Sequence, residues 1–462
     1  RRMWQFLWPG VDEADVPIGH VTNGVHTGTW LAPELEQLYD RYLRHDWEET
    51  VDAPEQWRAI ADVPAAELWA AHGARKRALI RYAREVLRQQ RLRLGEGPSA
   101  LAEVDTLLDE QAFTIGFARR FATYKRATLI MRVLERLSRM LHSADRPVQI
   151  IFAGKAHPAD EPGKALIKEI YAASRSPGLA GKIIFLEDYD MSMARHLVSG
   201  CDLWLNNPIR PHEASGTSGQ KAALNGIPNC SILDGWWAEG YTPGNGWAVG
   251  EEREYQDVET QNTADANALY DVLERDVIPR FFERDAAGVP RGWIEVMRAT
   301  IQTCAPRFSM RRQVKEYTTH LYIPVARRST IFCGEDYRPG RTLAEWKRRV
   351  FAAWPAVRVG VDGPRDTQFP IGARLDVVAQ VLPGALTDDD LLVELVVGRD
   401  RDGAVEELAF VPLRPFDAPG EHVRYEGGLD LRHGGSIVYG VRVLPAHPAL
   451  ANKYELGLVK WA

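Results

Sequence analysis

Between Gln111 and Gly250 the chain alternates short apolar runs with segments that repeat apolar residues every three or four positions. The runs are Phe113-Thr114-Ile115-Gly116-Phe117, Val148-Gln149-Ile150-Ile151-Phe152, Ile183-Ile184-Phe185-Leu186, Leu203-Trp204-Leu205 and Cys230-Ser231-Ile232-Leu233. Runs this short and this continuously apolar predict strands buried on both faces. Between the first two, Leu129, Ile130, Val133, Leu134, Leu137 and Leu141 predict one helix with a single apolar stripe. Repetition of strand and helix predicts a Rossmann-like, doubly wound parallel sheet, with its functional edge at the carboxyl ends of the strands.

The flanks read differently. Asp62 to Arg93 predicts one long amphipathic helix, with Val63-Pro64 near its start and Leu68, Leu79, Tyr82 and Val86 on one side. Eight Lys/Arg fall between Arg75 and Arg93, but Tyr82 is the one aromatic residue among them, short of the interleaving that a nucleic-acid interface requires, so they read as a solvated face. Ala264 to Ala326 reads as mainly helical, with a turn over Arg284-Asp285-Ala286-Ala287-Gly288-Val289-Pro290. The composition changes near Trp354-Pro355. Beyond it, Val357–Val361, Leu375–Ala379, Leu391–Val397 and Ile437–Val443 alternate in the manner of strands, and the chain closes on Glu455–Trp461. Pro383-Gly384, Pro419-Gly420-Glu421 and Gly434-Gly435 punctuate them. Roughly seven strands predict an all-β sandwich whose role is carbohydrate binding or support and subunit contact, and since no residue in it singles out a site, support is the plainer reading. The expected division is therefore an α/β domain with flanking helices over 1–345 and a β-sandwich over 355–462, without repeats or low-complexity tracts.

Charge narrows the function. With 57 Lys+Arg against 63 Asp+Glu the formal net charge is -6, which gives no global attraction for nucleic acid or an anionic membrane. No apolar run approaches the ~20 residues that a membrane span needs, and no signal-type apolar core opens the chain, so a cytoplasmic enzyme or binder is expected. The start at Arg1 reads as a piece of a longer protein. Cys201, Cys230, Cys304 and Cys333 are too widely spaced for a disulfide scaffold or a metal clip, and no metal is expected.

Three segments carry candidate chemistry. Pro211-His212-Glu213-Ala214-Ser215-Gly216-Thr217-Ser218-Gly219-Gln220-Lys221 follows a strand and enters a short helix that Asn225-Gly226 can cap. Its small residues let backbone N–H groups converge on an anion with help from the helix dipole, which makes a phosphate cradle. Lys221, one turn inside, is either a point charge for that phosphate or an amine able to form a Schiff base; a glycine-rich turn with a surface lysine is the plainer alternative. Arg119-Arg120-Phe121-Ala122-Thr123-Tyr124-Lys125-Arg126 leaves the first strand and enters the next helix. Cations at a helix start oppose the dipole, so they point to an anionic ligand. His20-Val21-Thr22-Asn23-Gly24-Val25-His26 is a polar loop with an Asn-Gly turn signal, and its two histidines lack a third ligand for zinc.

In this order and spacing these segments, with Gly154-Lys155-Ala156 and Phe185-Leu186-Glu187-Asp188-Tyr189, resemble the α-glucan (glycogen/maltodextrin) phosphorylase family, which uses pyridoxal 5'-phosphate. The resemblance covers about residues 1 to 335, and the terminal β-sandwich looks like the short bacterial type. It implies that Lys221 binds the cofactor covalently, that Arg119, Thr217 and Ser218 contact its phosphate, and that Tyr189 lines its pocket. Arg120 and Lys125, with Tyr124 beside them, match the pair that grips substrate phosphate; Asn23, Glu213, Ser215 and Gly216 match positions for the hydroxyls of the transferred glucosyl unit. Asp190 departs from the pattern, since better-known members carry Arg there. The implied activity is retaining phosphorolysis of glycogen or maltodextrin to α-D-glucose 1-phosphate. The catalytic set is Lys221, Arg120, Lys125 and Glu213. The pair of carboxylates that a hydrolase needs is not evident. The resemblance further implies a site between two Rossmann-like domains, a GT-B type glycosyltransferase of which this chain holds the second, so that the 462-residue piece alone is expected to have little activity. The expected partners are glucan, inorganic phosphate and glucose 1-phosphate, with homo-oligomers in the full-length protein. The alternatives are a nucleotide-sugar-dependent glucan synthase of the same fold, or a non-catalytic glucan-binding fragment.

Overall fold

The five apolar runs form strands: β1 (Phe113–Ala118), β2 (Val148–Ala153), β3 (Ile183–Leu186), β4 (Leu203–Asn206) and β5 (Asn229–Ile232). A sixth, β6 (Gly246–Val249), completes a sheet ordered β3-β2-β1-β4-β5-β6, with every neighbouring pair parallel. Strand side chains alternate between the two faces. Thus Ile115, Phe117, Ile150, Phe152, Ile183 and Phe185 enter one hydrophobic cluster, while Ile151, Ala153, Ile184 and Leu186 enter another. The winding reverses between β1 and β4, so the loops that leave these two strands open a crevice at the carboxyl edge, the place where such sheets collect ligands.

This computed structural model describes residues 1–253, 255–363, 368–401, 404–417 and 420–462. Two compact units form, Val21–His320 on the one hand and Arg1–His20 with Leu321–Ala462 on the other. In the first, α1 (Ala65–Arg93) starts only after Pro64, because Asp62 ends a preceding 3-10 turn. The helix expected over Leu129–Leu141 is divided into a 3-10 turn, Leu129–Met131, and α2 (Leu134–Leu141). A spacing of three suits a 3-10 turn as well as a helix, so periodicity alone cannot separate them. For the same reason the cations of 119–126 do not open a helix. They run through a 3-10 turn, Thr123–Lys125, that Arg126 ends in the left-handed region. Nor does Asn23-Gly24 make a turn: the segment has no regular structure, and Val25 bridges Ser309.

The remaining crossovers are α3 (Glu161–Ser174), α4 (Met191–Gly200), α5 (Thr217–Leu224) and the short Trp236–Gly240 helix. Past β6, α6 (Val258–Val272) continues as a helix through Leu273–Val277 and Ile278–Phe282, and a loop at Glu283–Pro290, close to the expected turn, leads into α7 (Arg291–Arg307).

In the second unit α8 (Ile323–Ala353) is broken at Gly334–Tyr337. Among the described residues eight strands follow, against the roughly seven expected: β7 (Arg358–Asp362), β8 (Arg374–Leu382), β9 (Leu391–Arg401), β10 (Ala404–Pro412), β11 (Arg414–Asp417), β12 (Val423–Asp430), β13 (Ile437–Pro445) and β14 (Lys460–Trp461). They make two antiparallel sheets of four strands, β10-β9-β13-β14 and β11-β12-β8-β7. Val377, Ala379, Val381, Val393, Leu395, Val397, Val441 and Val443 join Leu343, Trp346 and Val350 of α8 in one core. Pro419, in one of the expected turns, lies outside the described residues. From Arg1–His20, Val11 and Val16 pack with Leu444 and Tyr454. Cys201, Cys230 and Cys304 are buried and Cys333 is exposed, all as free thiols. Among the described residues no helix is long and apolar enough to cross a membrane.

Candidate functional site

The loop after β1 is held down in the middle and pinned at its end. Phe121 is buried, its N–H donates to Lys155 O at 2.9 Å, and it bridges Ala156 in the loop after β2. Gly154 permits this approach, since a Cβ there would lie 2.0 Å from Arg119 O. At the end, Arg126 takes φ 48°, a left-handed conformation that costs a non-glycine residue about 1 kcal/mol. Its buried guanidinium holds it there. Nε donates to Asn207 O at 2.9 Å, Nη2 to Pro208 O at 2.7 Å and Nη1 to Asn262 Oδ1 at 3.0 Å, with Asp265 paired at 2.8 Å. Asn207 Nδ2 donates back to Arg126 O at 2.6 Å, and Ile209 N–H donates to Tyr124 O at 2.7 Å. The loops after β1 and β4 are therefore tied into one wall.

That wall delivers two cations to one carboxylate. Arg119 Nη2 donates to Glu213 Oε2 at 2.5 Å, and Lys125 Nζ donates to Oε1 and Oε2 at 3.1 and 2.9 Å. All three side chains are buried. Glu213 is itself fixed through its backbone, whose N–H donates to Asp234 Oδ2 at 2.8 Å, while Gly235 N–H donates to Asp234 Oδ1 at 2.9 Å. Burial raises the Asp234 pKa against these two hydrogen bonds. Donors remain in excess: Arg119 Nε and Nη1 are buried without a partner, as is the Ser215 hydroxyl. Burial pushes the Arg119 guanidinium pKa down, and Glu213 opposes that shift. Each buried polar group left unpaired costs about 1–3 kcal/mol, and the forked donors of an arginine complement phosphate oxygens.

Gly216, at φ +88°, turns the chain into α5, an eight-residue helix. The N–H groups of Thr217 and Ser218 have no intrahelical acceptor at that end, which also carries the positive pole of the helix dipole. Lys221 follows one turn later. Its ammonium lies 3.7 Å from the centre of the Trp30 ring. Burial alone lowers its pKa. Tyr189, after β3, is pushed up to about 12 by burial, with the Arg119 charge opposing. The departure at Asp190 has a structural role, because its carboxylate caps α4 by accepting from Met193 N–H at 2.8 Å.

Of the residues singled out in the sequence, Arg119, Lys125 and Glu213 come together, with the Tyr124 ring 4.6 Å from Lys125 Nζ. Arg120 is exposed and makes no ion pair among the described residues, so the structure joins Lys125 to Arg119 rather than to Arg120. Ser218 Oγ accepts from Trp204 Nε1 at 3.3 Å. Asn23 is exposed; its Oδ1 accepts from Gln313 at 3.1 Å, and its carbonyl from Gln220 of α5 at 2.8 Å. Asn225 caps α5 as expected, but its hold on Trp30, Trp30 itself, Asp234 and the clamp made by Arg126 were not found from sequence. Asp234 carries a usable signal, an Asp-Gly pair at the carboxyl end of β5. Trp30 belongs to no local pattern.

Residues 16–242 match the family model for carbohydrate phosphorylase, and residues 354–462 match that for the glycogen phosphorylase C-terminal domain. The chain is 40% identical to the maltodextrin phosphorylase of Thermococcus litoralis and 41% identical to the glycogen phosphorylase of Mycobacterium tuberculosis, each over 100% of this chain and 54% of the relative. The glycogen phosphorylase of Aquifex aeolicus is 45% identical over 70% of this chain and 46% of its own length. The chain thus spans about half the length of the curated relatives it matches. Two models of one family match successive parts of this chain, and identity at this level runs through its whole length: the chain belongs to the glycogen phosphorylase family, of the short bacterial type.

Proposed function

We propose that the chain serves α-1,4-glucan phosphorolysis, the phosphate-dependent release of α-D-glucose 1-phosphate from the non-reducing end of glycogen or maltodextrin with retention of configuration. The observation that carries this reading is the half-buried Lys221 amine, one turn inside a helix whose open end adjoins Glu213 and the unpaired donors of Arg119. Pyridoxal 5'-phosphate fits these residues. Its aldehyde needs an unprotonated amine, which burial favours at Lys221, and its phosphate needs donors without partners. Lys221, Arg119, Thr217 and Ser218 would hold it, with Tyr189 at its side. When bound, the cofactor supplies a phosphate whose second pKa, near ~6, suits proton exchange around neutral pH.

The other residues bind and orient the substrates. Arg120 and Lys125 would hold inorganic phosphate, with Tyr124 beside them; Arg120 is exposed and free to turn towards it, whereas Lys125 is already fixed on Glu213. In the reaction the bond from C1 to the glycosidic oxygen breaks and one from C1 to a phosphate oxygen forms. The incoming phosphate gives its proton to the leaving oxygen. An anion gripped by cations also stabilises positive charge that develops at C1. Asn23, Glu213, Ser215 and Gly216 would bind the sugar hydroxyls: the carboxylate and the buried Ser215 hydroxyl accept or donate, and Gly216 leaves room. On this reading the parallel-sheet unit is the second half of a two-domain GT-B type glycosyltransferase, the antiparallel sheets pack as a sandwich, and the protein works in the cytoplasm.

The test is covalent labelling. The chain is incubated with pyridoxal 5'-phosphate, reduced with borohydride and mapped by peptide mass. A pyridoxyl group on Lys221, absent from Lys221→Ala, is expected. An unlabelled Lys221 in a chain that binds UDP- or ADP-glucose would replace this reading with a nucleotide-sugar synthase.

A further inference from the structure

Lys221 sets its amine against one aromatic face, and the backbone that carries that face has little to hold it. Trp30 ends a helix of only four residues, Thr27–Trp30, far below the length at which a helix sustains itself. What fixes it is Asn225, whose side chain is buried at 1% exposure. Both hydrogens of its amide are used: Nδ2 donates to Trp30 O at 2.8 Å and to Lys221 O at 2.9 Å. Oδ1 accepts from Ala32 N–H at 2.8 Å. One side chain therefore grips the backbone of the residue that bears the amine and the backbone of the residue that bears the ring.

We propose that Asn225 is a positioning residue for the Lys221 amine, clamping the Thr27–Ala32 segment onto α5 so that the Trp30 indole covers it. The proposal rests on the reading of Lys221 as the cofactor lysine. Each segment also has a tie of its own to another element. The Tyr39 hydroxyl donates to Leu224 O at 2.8 Å, and Arg195 Nε donates to Thr29 O at 3.1 Å. Loss of Asn225 thus loosens the indole without detaching the segment. The protonation of the amine follows the cover, since burial lowers its pKa.

The experiment measures the rate at which pyridoxal 5'-phosphate attaches to Lys221 as a function of pH, by borohydride trapping and peptide mass. Thermal unfolding and far-ultraviolet circular dichroism run in parallel. Attachment needs the unprotonated amine, so a covered lysine titrates lower and reacts faster at neutral pH than an uncovered one. In Asn225→Ala the midpoint of the profile is expected to rise by about one pH unit, with attachment near pH 7 slowed about tenfold. Trp30→Leu is expected to move it the same way. Tyr39→Phe removes the neighbouring tie and is expected to lower thermal stability while leaving the midpoint in place. A folded Asn225→Ala with the wild-type midpoint overturns the proposal; should that variant not fold, an unmoved midpoint in Trp30→Leu overturns it instead. Failure of the wild-type chain to label Lys221 at any pH sinks the cofactor reading itself, and that is seen before any variant is made.

Discussion

Two buried arginines, one in each compact unit, meet opposite fates. Arg442 is fully buried and donates Nε and Nη2 to Glu394 Oε2 at 3.0 and 2.9 Å, Nη1 to Asp15 at 2.9 Å and Nη2 to the Tyr454 hydroxyl at 2.8 Å. Lys453 completes the group by donating to Glu394 at 3.0 Å. Arg119 is 8% exposed and reaches a single carboxylate, with Nε and Nη1 left over. The contrast is general. Every buried side-chain polar atom without a partner, among the described residues, lies in Val21–His320. On the proposed reading the donors of Arg119, open in a crevice at the carboxyl edge of a parallel sheet, are the ones a ligand would close, whereas Arg442 needs none.

The largest effect that can break this contrast is at Arg442. Arg442→Ala opens a cavity, leaves Asp15 without its guanidinium and leaves Glu394 to Lys453 alone, and loss of one partner from a buried ionic group costs about 3–5 kcal/mol. Urea unfolding should show that loss; one below about 1 kcal/mol would make Arg442 no more structural than Arg119. Asp390 comes next. It accepts from both Arg349 Nη atoms and from Trp346 Nε1 at 2.7 Å, and from Thr387 N–H and Oγ1 at 2.9 Å. Arg349 first of all, opposed by burial, holds its carboxyl well below the usual carboxylate range. A folded pKa below the unfolded value of ~3.9 gives stability that is fully present above ~3.9 and lost as pH falls through the folded value. Asp390→Asn should therefore cost about 2 kcal/mol at pH 7. The gap between wild type and variant should narrow below ~pH 4. A gap independent of pH would mean that packing, not the carboxylate charge, carries the site.

How much of this was legible in the sequence depended on whether the controlling contact was local. The five strands stood out because burial on both faces makes a continuous apolar run, which no turn or surface helix mimics. β6 did not: Gly246-Trp247-Ala248-Val249 is short and follows Gly244-Asn245, so it reads as loop. The segment 129–141 was read as one helix because periodicity reports which side faces the core and not which carbonyl each N–H meets. The motif residues were legible as a set, since Glu213 to Lys221 share one strand-to-helix turn. Their partnership was not. Arg119 and Lys125 find Glu213 across a separation of about 90 residues, through a wall locked by the left-handed Arg126, and nothing near Lys125 tells it from Arg120. Trp30 and Asn225 act across a still greater separation, 195 residues, and each sits in sequence that would serve as well on an ordinary surface.

The smallest expected change in stability is the one that sharpens the contrast most. Arg119→Met keeps the length of the side chain and removes a guanidinium whose desolvation is repaid by one carboxylate, which Lys125 continues to neutralise. Replacement of a buried charge by an apolar group of similar volume is often neutral, so the unfolding free energy of the ligand-free chain should move by about 1 kcal/mol or less. The ligand should feel it far more. Pyridoxal and pyridoxal 5'-phosphate differ only in the phosphate; if Arg119 is held open for that group, wild type should prefer the phosphorylated form and Arg119→Met should lose about tenfold of the preference, near the ~1.5–3 kcal/mol of a charge-assisted hydrogen bond. Competition between the two aldehydes for borohydride-trapped Lys221 reads the ratio directly. A variant that unfolds several kcal/mol sooner while keeping the preference would place Arg119 with Arg442, as a strut, and the phosphate would have to be sought at the open end of α5 alone.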